Sequence, residues 1–294
     1  NGDSMKLKIN FVDFWPNFVP TDNYFYHLLS TKYNVEIGES PDILFYADFG
    51  NSNLSHEAQR KVYYTGENKR PNFDECDFAF SFDYSDNPKN YRLPLWVLWI
   101  NWFDVPHSEE RDVSYLTPLN NLTGPRKASK KQKFCNFVFS NHTGLRVPLL
   151  NEISMYEKVD SAGTLLNNMG QRIPGRGDQK PKVDFISDYR FTIAAENSSH
   201  PGYTTEKLLH PLSVGSIPIY WGSERANEDF NEDAFINVHK FEDLVEVVDL
   251  IEEIEFNDSL YEKYVTAPVF PEGKIPDLLR PESVLTFFEE NILC

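Results

Sequence analysis

Short apolar runs alternate with polar connectors along the first third of the chain. The runs are rich in β-branched and aromatic residues and are followed by Gly, Asp, Asn or Ser, which is typical of strands. One segment, 23–30, has helical spacing instead. Strands are predicted at 7–15, 33–37, 43–47, 61–65 and 77–82. This alternation favours a mostly parallel sheet covered on both faces.

A second series of strands and helices occupies the C-terminal half. Strands are predicted at 134–140, 191–195, 217–221 and 234–238, and helices at 145–156, 183–189, 205–213, 241–254 and 282–293. Two such series predict an α/β protein with two Rossmann-like domains and a cleft between them. We set the domains at 5–130 and 131–270. The segment 271–294 is expected to be helical, and packing against the first domain is one option for it.

The connection between the two series, 106–133, has no convincing periodicity. It contains the basic run "PRKASKKQK" at 125–133. Charge runs are usually solvated, so we interpret this one as part of an interdomain linker. A positive wall beside an anionic ligand is the alternative.

The charge balance limits the partners of the surface. The 294 residues include 28 basic and 45 acidic ones, which gives a net charge of −17. A general surface for nucleic acid or anionic membranes needs a positive field, so neither partner is expected. An anionic ligand remains compatible with a locally positive pocket.

Cysteine usage and hydropathy indicate the compartment. Cys76, Cys135 and Cys294 are far apart and odd in number, which fits neither a disulfide framework nor paired zinc ligands. The longest apolar run, 93–103, has about half the length that a membrane helix needs. No signal peptide is visible, so we expect a cytoplasmic protein, with peripheral attachment at the inner membrane as an alternative.

The segment "GYTTEK" lies between a predicted strand and a predicted helix. Thr204 or Thr205 can cap that helix, whose N-terminus then offers free N–H groups and partial positive charge to a phosphate. Lys207 adds a full charge, and the Glu206 carboxylate can accept hydrogen bonds from sugar hydroxyls. A nucleotide-sugar diphosphate would use all of these features. An ordinary capped helix with surface charges is the alternative.

Two further residues follow predicted strands and are expected to face the cleft. Glu67 in "YYTGEN" has the chemistry of a general base, and Arg146 can hold a diphosphate as a bidentate donor. The alternatives are a solvated loop glutamate and a helix-surface arginine. The spaced acids in "DYSD" and "DFNED", at 83–86 and 229–233, have loop-like neighbours and are predicted to be solvated. No metal site is therefore expected.

These motifs resemble those of the α-1,3/4-fucosyltransferases of glycosyltransferase family 10, especially the bacterial members. "AAENSSHPGYTTEKLLHPLSVGSIPIYWGS" resembles their donor-binding signature, and "YYTGEN" is similar to their acceptor-side motif. "FVFSNHTGLRVPLLNEI" and "DFNEDAFINVHKFEDL" extend the likeness. The residues "SSHP" and "GYTTEK" differ from those expected immediately before and inside the motif, and Pro211 interrupts the helix.

The resemblance implies a GT-B fold and inverting chemistry. It implies GDP-β-L-fucose as the donor, no required cofactor or metal, and a β-galactoside such as N-acetyllactosamine or lactose as the acceptor. The first domain would bind the acceptor and the second the donor. Membrane association is not supported, because the chain shows no basic amphipathic tail like that of some bacterial members.

By motif position, the resemblance also implies a role for each site residue. Glu67 would be the catalytic base in transfer of fucose to O3 or O4 of GlcNAc or glucose. The donor-binding residues would be Arg146, Asn197, Tyr203, Glu206 and Lys207, with Ser140, Asn141 and Glu196 as weaker members. A transferase of another nucleotide sugar and a non-catalytic glycan-binding module are the alternatives.

Three tryptophans of the first half, Trp96, Trp99 and Trp102, have faces that could stack on acceptor sugars. Packing in the core is the preferred interpretation for all three. The linkage formed and the preferred acceptor stay open at this point.

Overall fold

Strands and helices alternate along both halves of the protein, as the apolar periodicity predicts. The structure, a computed structural model, describes residues 4–111 and 114–294. The elements of the N-terminal half are β1 (Lys6–Val12), α1 (Tyr24–Ser30), β2 (Asn34–Ile37), β3 (Ile43–Tyr46), β4 (Arg60–Tyr64), β5 (Phe78–Ser81), β6 (Asn90–Arg92), a 3₁₀ helix (Leu95–Trp99), β7 (Ile100–Asn101), β8 (Thr117–Pro118) and α2 (Asn120–Thr123).

The C-terminal half continues the alternation. Its elements are β9 (Lys133–Phe137), α3 (Arg146–Tyr156), β10 (Asp160–Ser161), α4 (Lys180–Ile186), β11 (Tyr189–Ala195), α5 (Glu206–Ser213), β12 (Ile217–Trp221), β13 (Ile236–Asn237), α6 (Leu244–Phe256), α7 (Asp258–Thr266) and α8 (Pro281–Phe287).

Two parallel sheets form the framework. Within the described residues, the first sheet has the strand order β2-β1-β3-β4-β5-β6 and the second has the order β10-β9-β11-β12-β13. Neighbouring strands run parallel in both sheets. Strand β3 is buried at every position, as an inner strand of a sheet covered on both faces must be. The carboxyl ends of the strands in each sheet therefore meet at one edge, where ligands of open α/β sheets bind.

One hydrophobic core extends from the first sheet into the second half of the chain. It includes Phe45 and Phe80 of the first sheet together with Leu208 of α5. The ring centroids of Trp96 and Phe230, which come from the two halves, are 4.7 Å apart. Helix α5 therefore packs against the first domain as well as against its own sheet.

The C-terminal helix packs on the first domain. Phe288, which directly follows α8, is fully buried. Its ring centroid lies 5.4 Å from that of Phe80, 6.0 Å from Phe45 and 6.3 Å from Phe25. The end of the chain thus contributes to the core of its beginning.

This packing gives a stability prediction. We expect Phe288→Leu to lower the free energy of unfolding by about 1–2 kcal/mol, because it removes a ring from a close-packed aromatic cluster. Urea denaturation measures the change. Phe256→Leu is the matched control, since Phe256 is 81% exposed and its loss should change the free energy by less than about 0.5 kcal/mol. Equal effects of the two substitutions would contradict the placement of Phe288 in the core of the first domain.

Several predicted boundaries were wrong. The predicted strand 7–15 ends at Val12, because Asp13 adopts a left-handed conformation with φ of 60°. The predicted strand 234–238 shrinks to Ile236–Asn237, because the Asn237 side chain accepts a hydrogen bond from the His239 N–H and closes a 3₁₀ turn. The predicted strand 134–140 ends at Phe137.

Two helices also differ from the prediction. The helix predicted at 183–189 begins earlier, at Lys180, where Pro181 favours a first turn, and ends at Ile186. Tyr189 already belongs to β11. Helix α7 was not predicted, because a single capping residue, Asn257, separates it from α6.

The basic run at 125–133 contacts the second domain. Arg126 donates hydrogen bonds to the carbonyl oxygens of Ala267 and Leu212, at 2.7 and 2.8 Å. Lys130 pairs with Asp258 of α7 at 3.1 Å. These contacts support the linker interpretation rather than a wall beside an anionic ligand.

Candidate functional site

The N-terminus of α5 lies just beyond the carboxyl end of β11. Thr205 is its N-cap, and its hydroxyl accepts a hydrogen bond from the Lys207 N–H at 3.3 Å. Of the two threonines predicted as caps, Thr205 holds this place. Pro211 falls in the last turn, and the helix ends two residues later at Ser213. In this first turn the Lys207 N–H is bound to the cap and the Leu208 N–H donates to the Thr205 carbonyl at 3.3 Å, so the predicted cradle of free N–H groups is largely closed and the positive charge comes from the helix dipole and Lys207.

A fully buried carboxylate, Glu196, fixes the start of this helix. Its oxygens accept hydrogen bonds from the N–H and the hydroxyl of Thr205, both at 2.7 Å, and from the Tyr220 hydroxyl at 3.2 Å. Burial raises the pKa of Glu196, while Lys207 and the hydrogen bonds from Thr205 oppose that rise. A Cβ atom on Gly222 would lie 2.4 Å from the Glu196 Cγ, so only glycine fits there. The Glu196 carboxylate therefore holds the start of the helix in place, because its oxygens already accept hydrogen bonds from Thr205 and Tyr220.

Glu206 and Lys207 form a charged pair in the first turn of α5. The Lys207 Nζ lies 3.5 Å from a Glu206 oxygen and 3.8 Å from a Glu196 oxygen. Burial acts to raise the pKa of Glu206, but attraction from Lys207 and Lys182 outweighs it and lowers the pKa to about 2. Burial acts to lower the pKa of Lys207, but Glu206 and Glu196 reverse this and raise it. Both groups are therefore ionised at neutral pH.

Arg146 is buried at the start of α3, rather than lying on the helix surface. Its guanidinium donates to the Ala195 carbonyl at 3.2 Å and to the Asn141 carbonyl at 3.1 Å, and it stacks 4.4 Å from the centre of the Phe139 ring. Burial lowers its pKa, although the nearby Glu196 carboxylate opposes this effect. The two carbonyl contacts and the ring contact hold this cation beside the end of β11.

The remaining predicted donor residues surround this cluster. Tyr203 is buried, and its ring packs edge-on against Phe82 of the first domain at 4.7 Å. Asn197, Ser140 and Asn141 are exposed on the loops that follow β11 and β9. The structure therefore brings Arg146 and the Tyr203 to Lys207 segment together, and leaves these three side chains on the rim.

Glu67 lies on the opposite side of the cleft, in the loop after β4. Its N–H donates to the Thr65 hydroxyl at 3.1 Å, and its side chain is exposed to the cleft. The pKa of Glu67 is raised, mainly because the surrounding protein removes hydration from the carboxylate, and Lys207 partly opposes this. The next residue, Asn68, donates to the Ser198 hydroxyl at 2.9 Å, so the two motifs, predicted separately, lie against one another.

A cavity of about 160 Å³ adjoins Glu67. Aromatic side chains of Trp15, Phe49 and Trp99 line it. Of the three tryptophans considered for stacking on acceptor sugars, Trp99 borders this cavity. Trp96 is fully buried in the core, as the preferred interpretation expected. Trp102 lines a different cavity of the first domain.

Sequence reasoning missed Lys182 and His210. Lys182, on the first turns of α4, is partly buried and lines a small cavity together with Lys207 and His210. Burial lowers its pKa to about 8, with Lys207 and Arg146 adding to the effect and Glu206 opposing it. Burial lowers the pKa of His210 to about 3, so its imidazole is neutral. The predicted helix began after Lys182, so no sequence signal connected this lysine to the site.

The prediction that the acids at 229–233 are solvated was wrong for Asp229. This residue is 2% exposed and forms a bidentate pair with Arg92, with distances of 2.8 and 2.7 Å. A buried carboxylate needs such partners, and the partner here lies in the other domain. Asp83 is also paired, with Arg70 and His200, both at 3.1 Å.

Residues 4–111 and 114–294 contain neither a cluster of metal ligands nor a helix that could span a membrane. No group of three or more His, Cys, Asp or Glu side chains in them is arranged to hold a metal ion. No helix in them is both long and apolar enough to cross a membrane. Cys76, Cys135 and Cys294 are free thiols.

Comparison with known proteins decides the family. The family model described as the N-terminal domain of α-(1,3)-fucosyltransferase FucT matches residues 9–99, and that of glycosyltransferase family 10 (fucosyltransferase), C-terminal part, matches residues 128–266. The chain belongs to glycosyltransferase family 10. The resemblance predicted from the sequence is thereby confirmed.

Relatives and solved structures extend the match. The family-10 chain is 30% identical over 269 residues to the α-(1,3)-fucosyltransferase FucT of Helicobacter pylori, covering 80% of this chain and 54% of the relative. It is 28% identical over 213 residues to GDP-fucose protein O-fucosyltransferase 3 of Mus musculus, covering 69% of this chain and 41% of the relative. A crystal structure of an α1,3-fucosyltransferase with GDP-fucose is 26% identical, with a TM-score of 0.75, covering 99% of this chain and 92% of that one.

These matches define what is established for the family-10 chain. The GT-B fold expected from the resemblance is confirmed. The chain spans about half or less of the length of these two curated relatives. Its own donor, acceptor and product are therefore matters of proposal.

Proposed function

We propose that this protein transfers L-fucose from GDP-β-L-fucose to O3, or O4, of GlcNAc or glucose in a β-galactoside acceptor, with inversion at the anomeric carbon. N-acetyllactosamine and lactose are the acceptors that we expect. The observation that carries the proposal is the placement of Glu67 opposite a cationic helix N-terminus in a family-10 fucosyltransferase fold.

The donor side supplies positive charge for a leaving diphosphate. Arg146, Lys207 and the positive end of the α5 dipole lie at the carboxyl edge of the second sheet. Such fixed charges and dipoles stabilise negative charge that grows on the leaving group in the transition state. A family relative of known structure contains GDP-fucose, which supports the choice of donor.

The acceptor side supplies a base and an apolar wall. Glu67 would take the proton from the attacking hydroxyl as that oxygen bonds to the anomeric carbon of fucose and the bond to GDP breaks. The raised pKa of Glu67 brings its proton affinity closer to that needed of a base near neutral pH. Trp15, Phe49 and Trp99 offer aromatic surface to the apolar face of a sugar in the adjoining cavity.

The test is GDP release from GDP-fucose with and without lactose or N-acetyllactosamine, combined with mass analysis of the product. We expect release that depends on the acceptor and a product heavier by one fucose. GDP-mannose and UDP-sugars are the donor controls. GDP binding without turnover on any acceptor would contradict the proposed reaction, and glycan binding without nucleotide binding would favour a glycan-binding module.

A protein acceptor is a second candidate. The similarity to GDP-fucose protein O-fucosyltransferase 3 of Mus musculus favours it. Transfer of fucose to a serine or threonine hydroxyl needs the same base and the same donor site. An acceptor panel that contains folded protein domains beside the two sugars separates the candidates.

Lys182 leads to a prediction about pH. Its neighbours are Glu206, Lys207 and His210 of α5, Arg146 of α3 and Glu196 beyond β11. A bound diphosphate favours the charged lysine and raises its pKa above the unliganded value of about 8. Binding then takes up a proton above that pH, so GDP affinity should fall by up to about tenfold per pH unit as the pH rises from 8.

Isothermal titration calorimetry of GDP between pH 7.5 and 9.5, in buffers of different ionisation enthalpy, measures this proton uptake. Lys182→Met should bind GDP more weakly at pH 7.5 and show no such pH dependence. An identical pH dependence in Lys182→Met would remove Lys182 from the donor site.

A further inference from the structure

The loop at 197–204, which connects β11 to α5, makes polar contacts with the N-terminal domain. The Asn68 side chain donates to the Ser198 hydroxyl at 2.9 Å. His200 lies 3.1 Å from Asp83. The N-terminal domain therefore contacts this loop at positions close to Tyr203, in addition to the edge-on contact between Phe82 and Tyr203.

Arg92, at the end of β6, makes the most extensive of these contacts. Its guanidinium donates to the Gly202 carbonyl at 2.9 Å and to the Phe82 carbonyl at 3.0 Å. The same group forms the bidentate pair with Asp229, at 2.8 and 2.7 Å. The ring of Tyr84 stacks 4.3 Å from the guanidinium carbon. One nearly buried cation thus connects the first sheet, the 197–204 loop and the segment after β12.

Asp229 is itself held from the first domain. The indole N–H of Trp96 donates to it at 3.2 Å. Its side chain is 3% exposed, so these protein donors replace the water that the carboxylate loses on burial. The planar fork of arginine matches a carboxylate and two carbonyls at once, which a lysine cannot do.

The backbone at Gly202 is fitted to this contact. Gly202 has a φ of +91°, and a Cβ atom there would lie 2.3 Å from the Phe82 carbonyl oxygen and 3.1 Å from the Arg92 Nε. Its N–H donates to the Ser223 hydroxyl at 2.9 Å. A side chain at this position would push the loop away from the first domain.

We propose that Arg92 is a positioning residue for the donor site: it fixes Gly202, and through it Tyr203, from across the domain interface. The inference rests on the proposed function. Arg92 would touch neither the donor nor the reacting atoms. It would make the donor pocket depend on a residue of the acceptor domain, so that the pocket is complete only when both domains hold this arrangement.

The test compares GDP affinity and fucosyl transfer in the full chain and its variants. Arg92→Lys keeps a positive charge beside Asp229 but loses the planar guanidinium, which donates to several acceptors at once. We expect it to weaken GDP binding and raise the KM for GDP-fucose by about 10-fold or more, since small displacements of a positioning element have effects of this size. Gly202→Ala disturbs the same contact from the loop side while Arg92 and Asp229 both remain in the chain, so it should raise the same KM even if Arg92→Lys does not fold.

Two controls separate positioning from general stability. Arg225→Gln removes a neighbouring, 46% exposed side chain that stacks on the same Tyr84 ring at 3.6 Å, and it should leave GDP affinity unchanged. Phe288→Leu lowers stability at a distance from the loop and should also leave GDP affinity unchanged.

The outcomes are distinct. If Arg92→Lys and Gly202→Ala change GDP affinity no more than Phe288→Leu does, while the wild-type chain binds GDP, this inference is overturned and the proposed function stands. A wild-type chain that binds no GDP overturns the proposed function, and this inference with it.

Discussion

Glu67→Gln is expected to lower kcat for fucosyl transfer by about 10²–10⁴-fold, the usual size of a general-base effect. Glutamine preserves the shape of the side chain but cannot take the acceptor proton. GDP binding should stay at the wild-type level, because the cations that we propose as diphosphate ligands belong to the other domain. Initial rates with saturating GDP-fucose, together with calorimetric GDP binding, measure both quantities.

The pH dependence adds a second readout for Glu67. The base must be ionised, so the kcat/KM of the wild-type protein should fall as the pH drops through the raised pKa of Glu67. Glu67→Gln should lose this acid limb. Glu57→Gln, which changes an exposed glutamate of the same domain, is the control and should leave rate and profile unchanged. Near-normal turnover in Glu67→Gln would show that another group is the base.

Lys207→Met is expected to have the second large effect, a loss of about 10²–10³-fold in kcat/KM for the donor. The reason is that one of the preorganised charges proposed to stabilise the leaving group is removed. Lys207 also neutralises two carboxylates, so its removal leaves Glu196 buried without its cation. Loss of one partner of a buried ion pair lowers the free energy of unfolding by about 3–5 kcal/mol. Lys207→Arg, which keeps the charge, is the matched control and should retain most of the stability.

The stability deficit of Lys207→Met should depend on pH with a defined sign. The folded pKa of Glu196 is already raised by burial, and loss of Lys207 raises it further. A carboxylate whose folded pKa lies above its unfolded pKa stabilises the folded state as the pH falls through the folded value. Urea denaturation should therefore show a smaller deficit at pH 5 than at pH 8. A deficit that grows on acidification would show that Glu196 is not the group left unpaired.

Much of the donor side could be predicted from sequence, because the relevant signals are local. A strand, a threonine cap and the following lysine are contiguous in the chain, and parallel strands place their carboxyl ends at one edge. The facing of Glu67 and Lys207 followed from the same rule applied twice. The family resemblance supplied the roles, which composition and spacing alone left open.

The parts that sequence could not predict depend on contacts between distant residues. Asp229 and Arg92 are 137 positions apart and belong to different domains, so a loop-like neighbourhood wrongly suggested solvation. The low pKa of Lys182 comes from burial beside Lys207 and Arg146, which no pattern within α4 reveals. Strand ends were also misjudged where a side chain, such as that of Asn237, closes a turn.

The shared hydrophobic core has a consequence for protein engineering. Since Leu208 of α5, Phe230 and Phe288 all pack with residues of the first sheet, the two domains should melt as one cooperative unit. A chimera that joins the first 130 residues of this chain to the remainder of a relative would bring unmatched surfaces together at this seam. Exchange of acceptor specificity among relatives is therefore better attempted by grafting the loop after β3, which lines the cavity beside Glu67 through Phe49 and leaves the seam intact.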